Sequence, residues 1–249
     1  ADVVMYDSLV GTGILETLPG EAEVVGVGKN PNGERTTQDE INEKMVEEVR
    51  AGNDVARLKC GDPNVFGRGG EETQYLASEG VEFEVVPGVT SAISVPGVEG
   101  IPTTHRDHAS SLTVVTGHED PTKEESALDW GALAANIRAG GTLAVLMGVG
   151  RLPDNVAALL ENGVSAETPV AMVERGTLED SRTVVSTLDG IVEEAHTAGI
   201  EPPAVTVVGE VVGVRDDVRE YLVNSGASKV VRDADEEPET PEIEVIQGD

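Results

Sequence analysis

Residues 57–72 read RLKCGDPNVFGRGGEE, and this stretch decides the fold class. The apolar residues Val55, Ala56 and Leu58 are typical of a short strand. Gly-Asp-Pro at 61–63 then turns the chain, because proline disfavours helix in the residue before it. The glycines within 67–70 open a helix and allow backbone to approach a ligand, although a ligand-free connection fits the same spacing. The pattern predicts a strand that ends at the carboxyl edge of a sheet, where open α/β sheets bind ligands.

Strand-like and helix-like segments alternate along the rest of the chain, which predicts a two-sided α/β fold. Residues 36–50 have one apolar face behind a threonine cap, as expected of a helix. We expect further strands at 3–6, 81–86, 112–116, 142–147, 169–173 and 204–208, and helices at 152–161 and 214–224. The predicted domains are residues 1–106 and 107–228, followed by an acidic, disordered tail at 229–249.

The most unusual feature of the composition is its large negative charge. It has 249 residues with 47 acidic and 17 basic side chains, a net charge of -30, yet 39% hydrophobic residues, which excludes a wholly disordered acidic chain. An acidic surface with few lysines and aromatics is typical of proteins from salt-loaded cytoplasm, where the screening length is ~3 Å at 1 M salt. The competing interpretation is an acidic protein that binds basic partners.

Charge, hydropathy and the cysteine and histidine content argue against several kinds of partner and site. A strongly negative surface repels nucleic acid and anionic membranes, and no apolar run reaches membrane-spanning length. The single cysteine, Cys60, allows no internal disulfide and fits a reducing cytoplasm. His105, His108 and His118 invite a metal site, but no dense His/Cys ligand set accompanies them, so we expect no metal.

Several short motifs carry a resemblance to a known family. They are YDSLV at 6–10, GKNPNGERTTQDEIN at 28–42, DPNVFGRGGEE at 62–72, VVPGVTSA at 85–92, GIPTTHR at 100–106, VTGH at 115–118, TLAVLMGV at 142–149, PVAMVERGT at 169–177 and PPAVTVVGEVV at 202–212. Together they resemble the tetrapyrrole methylase family, in its uroporphyrinogen-III C-methyltransferase branch, over residues 1 to about 224.

The resemblance implies a fold, a reaction and an assembly. It implies two α/β domains with S-adenosylmethionine in the cleft between them, in a cytoplasmic homodimer. The implied reaction methylates uroporphyrinogen III at C2 and C7 and gives precorrin-2. Two alternatives stay open: a precorrin methylase that acts at another carbon, and a non-catalytic relative. The composition further suggests a halophilic archaeon as the source.

The resemblance also implies site residues. Asp7 is the expected proton acceptor and Lys29 the expected proton donor, although a helix cap and a solvated loop charge are the simpler interpretations of these two residues. Contacts with the cofactor are expected from residues in turns and at strand ends: Cys60, Gly61, Asp62, Val65, Thr90, Ser91, Met147, Gly176, Ala204 and Val205. Without the resemblance, Met147 reads as a core residue and Thr90 and Ser91 as helix caps.

The substrate carries eight carboxylates, so an acidic enzyme must concentrate cations where it docks. Lys59, Arg68 and Arg106 flank the motifs and are the expected substrate contacts, since arginine binds a carboxylate through two parallel hydrogen bonds. Surface ion pairing with the abundant acids is the alternative role for each of them.

Two departures from the family pattern stand out. Cys60 occupies a position where the family usually has glycine, and its side chain is expected either to crowd the cofactor or to point into the sheet. The family's first strand and its glycine-rich GxGPGD loop are not in the sequence, so we expect an upstream segment to be missing.

Overall fold

The computed structural model describes residues 1–28, 36–121 and 126–225. Contacts group the chain into two compact units, Ala1–Thr90 and Ser91–Asp249. Each unit has its own sheet with helices, which confirms the predicted α/β class. The predicted domain limits at 106 and 228 stay predictions, and the predicted tail lies outside the described residues.

The first unit is built on a small parallel sheet. Its elements are β1 (Val3–Tyr6), α1 (Thr12–Glu16), β2 (Glu23–Gly26), α2 (Gln38–Arg50), β3 (Val55–Leu58) and α3 (Gly69–Ser78). The strand order is β2-β1-β3, with both neighbours parallel to the central strand. Val3 and Met5 of β1 are buried against Ile41 and Met45 of α2, which forms the core of this unit.

Helix α2 begins where the sequence predicts a cap. The Thr37 hydroxyl accepts a hydrogen bond from the Glu40 amide, and the Glu40 carboxylate accepts one from the Thr37 amide. This reciprocal pair satisfies two amide groups that the first turn leaves without helical partners. The predicted threonine cap is therefore confirmed.

The second unit contains a larger mixed sheet. Its elements are α4 (Ser91–Val98), β4 (Leu112–Thr116), α5 (Trp130–Arg138), β5 (Thr142–Leu146), α6 (Leu152–Glu161), β6 (Pro169–Glu174), β7 (Arg182–Thr187), α7 (Ile191–Thr197), β8 (Ala204–Val208) and α8 (Val214–Ser225), with 3-10 turns at Val149–Arg151 and Glu210–Gly213. The strand order is β4-β5-β8-β6-β7. Strands β4 and β5 are parallel, whereas β8 runs antiparallel to β5 and β6.

Both faces of this second sheet are buried. Along β5, Leu143 and Val145 belong to one apolar cluster, and Ala144 and Leu146 belong to another. Successive side chains of a strand point to opposite faces, so the sheet lies between two apolar layers. The continuous apolar run at 143–146 reflects this double burial.

One predicted strand is wrong. Residues 82–90 have no regular secondary structure, and Val86 is 72% exposed. The amide of Val81 bonds to the carbonyl of Leu76 and so continues the end of α3. A strand requires a neighbouring strand, and none of the described strands pairs with this segment.

Candidate active site

The strands of the first unit bring Asp7 and Lys59 to one edge of the sheet. Tyr6 is in register with Leu58 in the parallel pair of β1 and β3, so the residue that follows each strand lies at the same carboxyl edge. The Asp7 amide also bonds to the Leu58 carbonyl at 3.4 Å. Two residues that the sequence singled out are therefore neighbours.

Four charged side chains form a cluster at this edge. The Asp7 carboxylate lies 2.5 Å from Arg57 Nη2 and 3.6 Å from Lys59 Nζ. Glu72 Oε1 lies 2.9 Å from Lys59 Nζ and 3.2 Å from Arg57 Nε. The side chains of Arg57, Lys59 and Glu72 are at most 11% exposed, whereas that of Asp7 is 34% exposed. Two cations and two carboxylates balance, as buried charges require.

Lys59 is held inside this cluster. Its side chain is only 6% exposed and its ammonium is paired with Glu72. A substrate carboxylate would have to compete with a buried ion pair to reach it, and breaking such a pair is costly. The expected substrate role of Lys59 stays a prediction.

The Gly-Asp-Pro turn after β3 is stabilised by hydrogen bonds to the side chain of Asp62. The Asp62 carboxylate accepts hydrogen bonds from the amides of Asn64 and Gly88, at 2.8 and 3.1 Å. The Val65 amide bonds to the Asp62 carbonyl, and Gly61 takes a left-handed conformation with φ of 77°. The carboxylate thus stabilises the turn and leaves the backbone of residues 60–62 at the sheet edge.

The glycines of this stretch serve internal packing as well. A Cβ at Gly67 or Gly69 would lie 2.6 or 2.5 Å from the Pro63 carbonyl oxygen, whereas one at Gly70 would have no atom within 4 Å. The close backbone approach at the first two positions is therefore to the protein itself. Only Gly70 leaves open space of the kind predicted for a ligand.

Cys60 lies at the start of this turn with an exposed side chain. Of the two expected orientations, the structure excludes the one that points into the sheet. Partial desolvation raises the pKa of the Cys60 thiol, and the charge of Asp7 adds to the rise. The thiol is thus mainly protonated at neutral pH.

Arg68 precedes α3 with a left-handed backbone, φ 59°. Its guanidinium binds both carboxylate oxygens of Glu71, at 3.0 and 2.6 Å. This hydrogen bonding raises the pKa of Arg68 and lowers the pKa of Glu71. Both side chains are more than half exposed, so solvent screens the pair and a substrate carboxylate can replace Glu71 at small cost.

A second set of expected site residues meets at one edge of the larger sheet. Leu146 of β5 and Val173 of β6 both pair with Val205 of β8, and Glu174 pairs with Ala204. The carboxyl ends of β5 and β6 and the amino end of β8 therefore share an edge. Met147, Gly176, Ala204 and Val205 all lie at it.

The backbone at this edge is strained. Met147 has φ of 57° and is 52% exposed, and the loop after β6 has positive φ at Arg175 (50°) and at Thr177 (73°). Left-handed backbone in a β-branched residue such as Thr177 is rare and clusters at functional sites. A Cβ at Gly176, between the two, would lie 2.4 Å from Val95 Cγ1, so α4 packs directly on this loop.

The other expected site residues differ in burial and in position. Ala204 and Val205 are at most 9% exposed, and their side chains belong to the apolar core. Ser91 is the first residue of α4 and Thr90 precedes it. Lys29 lies outside the described residues.

Comparison with known proteins gives the family. Residues 1–192 match the family described as Tetrapyrrole (Corrin/Porphyrin) Methylases. The chain belongs to the tetrapyrrole methylase family. It is 51% identical over 216 residues to an S-adenosyl-L-methionine-dependent uroporphyrinogen III methyltransferase of Methanosarcina barkeri, covering 87% of this chain and 84% of that protein. It is 47% identical to a uroporphyrinogen-III C-methyltransferase of Methanocaldococcus jannaschii, over 87% of this chain and 88% of the relative.

Solved structures of tetrapyrrole methylases have the same fold. The uroporphyrin-III C-methyltransferase of Thermus thermophilus, complexed with S-adenosylhomocysteine, is 38% identical with a TM-score of 0.71, over 86% of this chain and 88% of that one. A cobalamin biosynthetic enzyme, cobalt precorrin-4 methyltransferase, is 27% identical with a TM-score of 0.74, over 85% of each chain.

Further observations on this tetrapyrrole methylase concern its histidines, Arg106 and its helices. Within residues 1–28, 36–121 and 126–225, no three His, Cys, Asp or Glu side chains are grouped to hold a metal ion. His105 accepts a hydrogen bond from the Asp107 amide, and its ring lies 4.8 Å from that of His108. Arg106, between them, is exposed and forms no ion pair within the described part of the chain. No described helix is long and apolar enough to span a membrane.

Two members of the charged cluster, Arg57 and Glu72, are not among the site residues expected from sequence. Arg57 lies inside a short strand with apolar neighbours, and Glu72 lies in the first turn of α3. A charged residue inside a strand with apolar neighbours needs a buried partner, and this was the signal that was available.

Proposed function

We propose that this protein is an S-adenosylmethionine-dependent uroporphyrinogen-III C-methyltransferase that methylates its substrate at C2 and C7 and gives precorrin-2. The observation that carries the proposal is the similarity to the Methanosarcina barkeri methyltransferase, which extends over most of the chain. The two sheet edges support it, because each brings chemically suitable residues together where α/β sheets bind ligands.

The residues at these edges fit the cofactor. The turn at 60–62 places backbone amide and carbonyl groups at the sheet edge, with Gly61 in a left-handed conformation, and Met147 offers an exposed thioether beside strained backbone. An adenosyl amino acid needs such a combination of apolar surface and a few polar groups. We propose that Cys60, Gly61, Asp62 and Val65, with Thr90, Ser91, Met147, Gly176, Ala204 and Val205, hold it, with Ala204 and Val205 contributing mainly backbone. Bound S-adenosylmethionine supplies a methyl group on a sulfonium sulfur.

The protein's own groups would position the substrate and move protons. The pyrrole carbon forms the new bond to the methyl carbon while the sulfur–carbon bond breaks, and S-adenosylhomocysteine leaves. The methylated ring is then positively charged and must lose a proton. Asp7, the most exposed acid of the charged cluster, is the proposed acceptor. Lys29 is the proposed proton donor elsewhere on the macrocycle.

Arginines are the proposed contacts for the substrate carboxylates. Arg106 is exposed, and Arg68 is exposed and held in an exchangeable surface pair. Either can bind a carboxylate through two parallel hydrogen bonds. Lys59 would contact the substrate from within the charged cluster, where its ammonium lies 3.6 Å from the Asp7 carboxylate.

A second candidate function is methylation of another precorrin carbon. The observation that favours it is the close structural match to cobalt precorrin-4 methyltransferase. A relative that binds tetrapyrroles without catalysis is the third possibility, and it predicts no affinity for the cofactor.

The decisive experiment is a product assay in high salt. The protein is incubated with uroporphyrinogen III and S-adenosylmethionine, and products are analysed by mass spectrometry and NMR. We expect a dimethylated product that carries its methyl groups at C2 and C7. A product methylated elsewhere supports the second function. No product, together with no binding of S-adenosylhomocysteine in calorimetry, supports the third.

We propose a homodimer of two-domain subunits in the salt-rich cytoplasm of a halophilic archaeon. The net charge of -30 supports the salt-rich setting, because such self-repulsion is tolerable only under strong screening. Light scattering in 2 M KCl tests the dimer, and a monomeric mass under active conditions contradicts it.

A further inference from the structure

Arg57 is fixed at all three of its guanidinium nitrogens. Nε donates to Glu72 Oε1 at 3.2 Å, Nη1 donates to the Leu58 carbonyl at 2.9 Å, and Nη2 donates to Asp7 Oδ1 at 2.5 Å. The guanidinium is a rigid planar fork. Once Nε and Nη1 are anchored, the direction in which Nη2 presents its hydrogen bond is set.

The anchor of this fork is independent of Asp7. Glu72 Oε1 also accepts hydrogen bonds from Lys59 Nζ at 2.9 Å and from Gln38 Nε2 at 3.2 Å. The side chain of Glu72 is 5% exposed and lies in the first turn of α3, where the helix dipole favours a carboxylate. Glu72 therefore holds Arg57 in place whether or not Asp7 is engaged.

Asp7 is the most exposed member of the cluster. Its side chain is 34% exposed, against 11% for Arg57 and 5% for Glu72. Lys59 approaches Asp7 only to 3.6 Å, which is beyond hydrogen-bond distance, so Arg57 supplies the hydrogen bond that orients the carboxylate. Cys60 is a further titratable neighbour, and the pKa of its thiol is raised by desolvation and by the charge of Asp7.

We infer that Arg57, anchored by Glu72, is a positioning residue that fixes the Asp7 carboxylate for proton acceptance during methyl transfer. The inference rests on the proposed function and on the role proposed there for Asp7. A cluster that served stability alone would gain little from its charges, since apolar side chains of similar size often replace buried ion pairs without loss. Here the cluster includes the partly exposed carboxylate of Asp7, which lies at the carboxyl edge of the first sheet.

The test is a double-mutant cycle between Arg57 and Asp7. Single-turnover methylation rates are measured for the wild type, Arg57→Gln, Asp7→Asn and the double variant, with affinity for S-adenosylhomocysteine measured by calorimetry. We expect Arg57→Gln to slow methyl transfer about tenfold or more while affinity changes by less than about twofold, because small misplacements of a catalytic group cost up to ~100-fold. In the Asp7→Asn background, the same substitution should change the rate by less than about twofold.

Two further variants keep the test decisive. Arg57→Lys retains the charge without the planar fork, so we expect it to recover the methylation rate only in part. If Arg57→Gln does not fold, Arg57→Lys takes its place in the double-mutant cycle. Arg50→Gln, which breaks the exposed pair between Arg50 and Glu79 in the same unit, is the matched control and should keep the wild-type rate.

The outcomes separate the two proposals. Equal slowing in both backgrounds, or no slowing by Arg57→Gln in the wild type, overturns the positioning role. A wild-type rate for Asp7→Asn overturns the role of Asp7 and the inference with it, while the methyltransferase function stands. Absence of methylated product from the wild type refutes the proposed function itself.

Discussion

Gly88 lies where a side chain cannot be placed without moving the turn after β3. A Cβ there would stand 2.2 Å from the Gly61 carbonyl oxygen, 3.1 Å from its carbonyl carbon and 3.5 Å from Asp62 Cα. All three atoms are backbone, so no side-chain rotation relieves the contact. The Gly88 amide also donates to the Asp62 carboxylate, which ties the two segments together at this point.

Gly88→Ala should therefore separate the two segments. Ordinary van der Waals contact begins near ~3.5 Å, so the segments must move apart by roughly 1 Å. Overpacking of this kind costs about 1–3 kcal/mol of unfolding free energy. Because the displaced turn carries Cys60, Gly61 and Asp62, we expect affinity for S-adenosylhomocysteine to fall at least about tenfold, or ~1.4 kcal/mol. Thermal unfolding and calorimetry in high salt measure the two effects.

The matched control is Gly13→Ala in α1. A Cβ at Gly13 meets no atom within 4 Å, and alanine is favoured over glycine in a helix by up to about 1 kcal/mol. This variant should be at least as stable as the wild type and should bind the ligand equally well. If Gly88→Ala matches Gly13→Ala in both measurements, the steric argument and the assignment of the 60–62 turn are refuted.

Three other predictions follow from the packing, the thiol and the surface charge. Gly176→Ala should lower the melting temperature through its 2.4 Å contact with the stiff Val95 side chain, and adding Val95→Ala should restore it; an unrescued double variant contradicts this. Because its raised pKa leaves less thiolate at pH 8, Cys60 should react with iodoacetamide more slowly than free cysteine, as followed by mass spectrometry. Asp7→Asn should accelerate that reaction, and an unchanged rate argues against the electrostatic coupling. Dialysis into dilute buffer should reduce helicity measured by circular dichroism, since repulsion at net charge -30 is then unscreened, whereas full retention contradicts the halophilic interpretation.

The predicted strands that form are short runs rich in apolar residues, such as VVMY in β1 and TLAVL in β5. Strand β1 has the predicted bounds, and β5 ends one residue earlier than predicted. The difference is physical, because Met147 takes a left-handed backbone that cannot continue a strand. Apolar content at 142–147 predicts the strand but not the conformational switch at its end.

Strands β2 and β7 were not predicted because their own sequences are weak. Strand β2 reads EVVG, and β7 reads RTVVST, with polar residues at its ends. Each lies beside a well-buried strand, β1 or β6, which supplies the pairing. The opposite error at 81–86 has the same origin, since an apolar alternating segment without a partner forms no strand. Strand formation depends on neighbours that a local pattern does not specify.

Motif resemblance identified residues at both edges, but not the interactions that hold them. Asp7 was expected to accept a proton and Lys59 to contact the substrate, and the two were not linked to each other. The structure joins them through Arg57 and Glu72, which are separated from Asp7 by about fifty residues or more in sequence. Such long-range charge pairing has no local signature, because single charged residues are by default assigned to the surface.

Salt screens the overall charge of the chain strongly, but it screens the close ion pairs of the candidate site only weakly. The net charge of -30 is a surface property, and at molar salt its field extends only ~3 Å. At the edge of the first sheet, two cations and two carboxylates balance at contact distances where screening is weak. An anionic substrate would therefore experience individual groups such as Arg68 more than the field of the whole protein. Selection for an acidic surface can then proceed without loss of a site for a polyanion, provided that the few basic side chains stay where substrate contacts are needed.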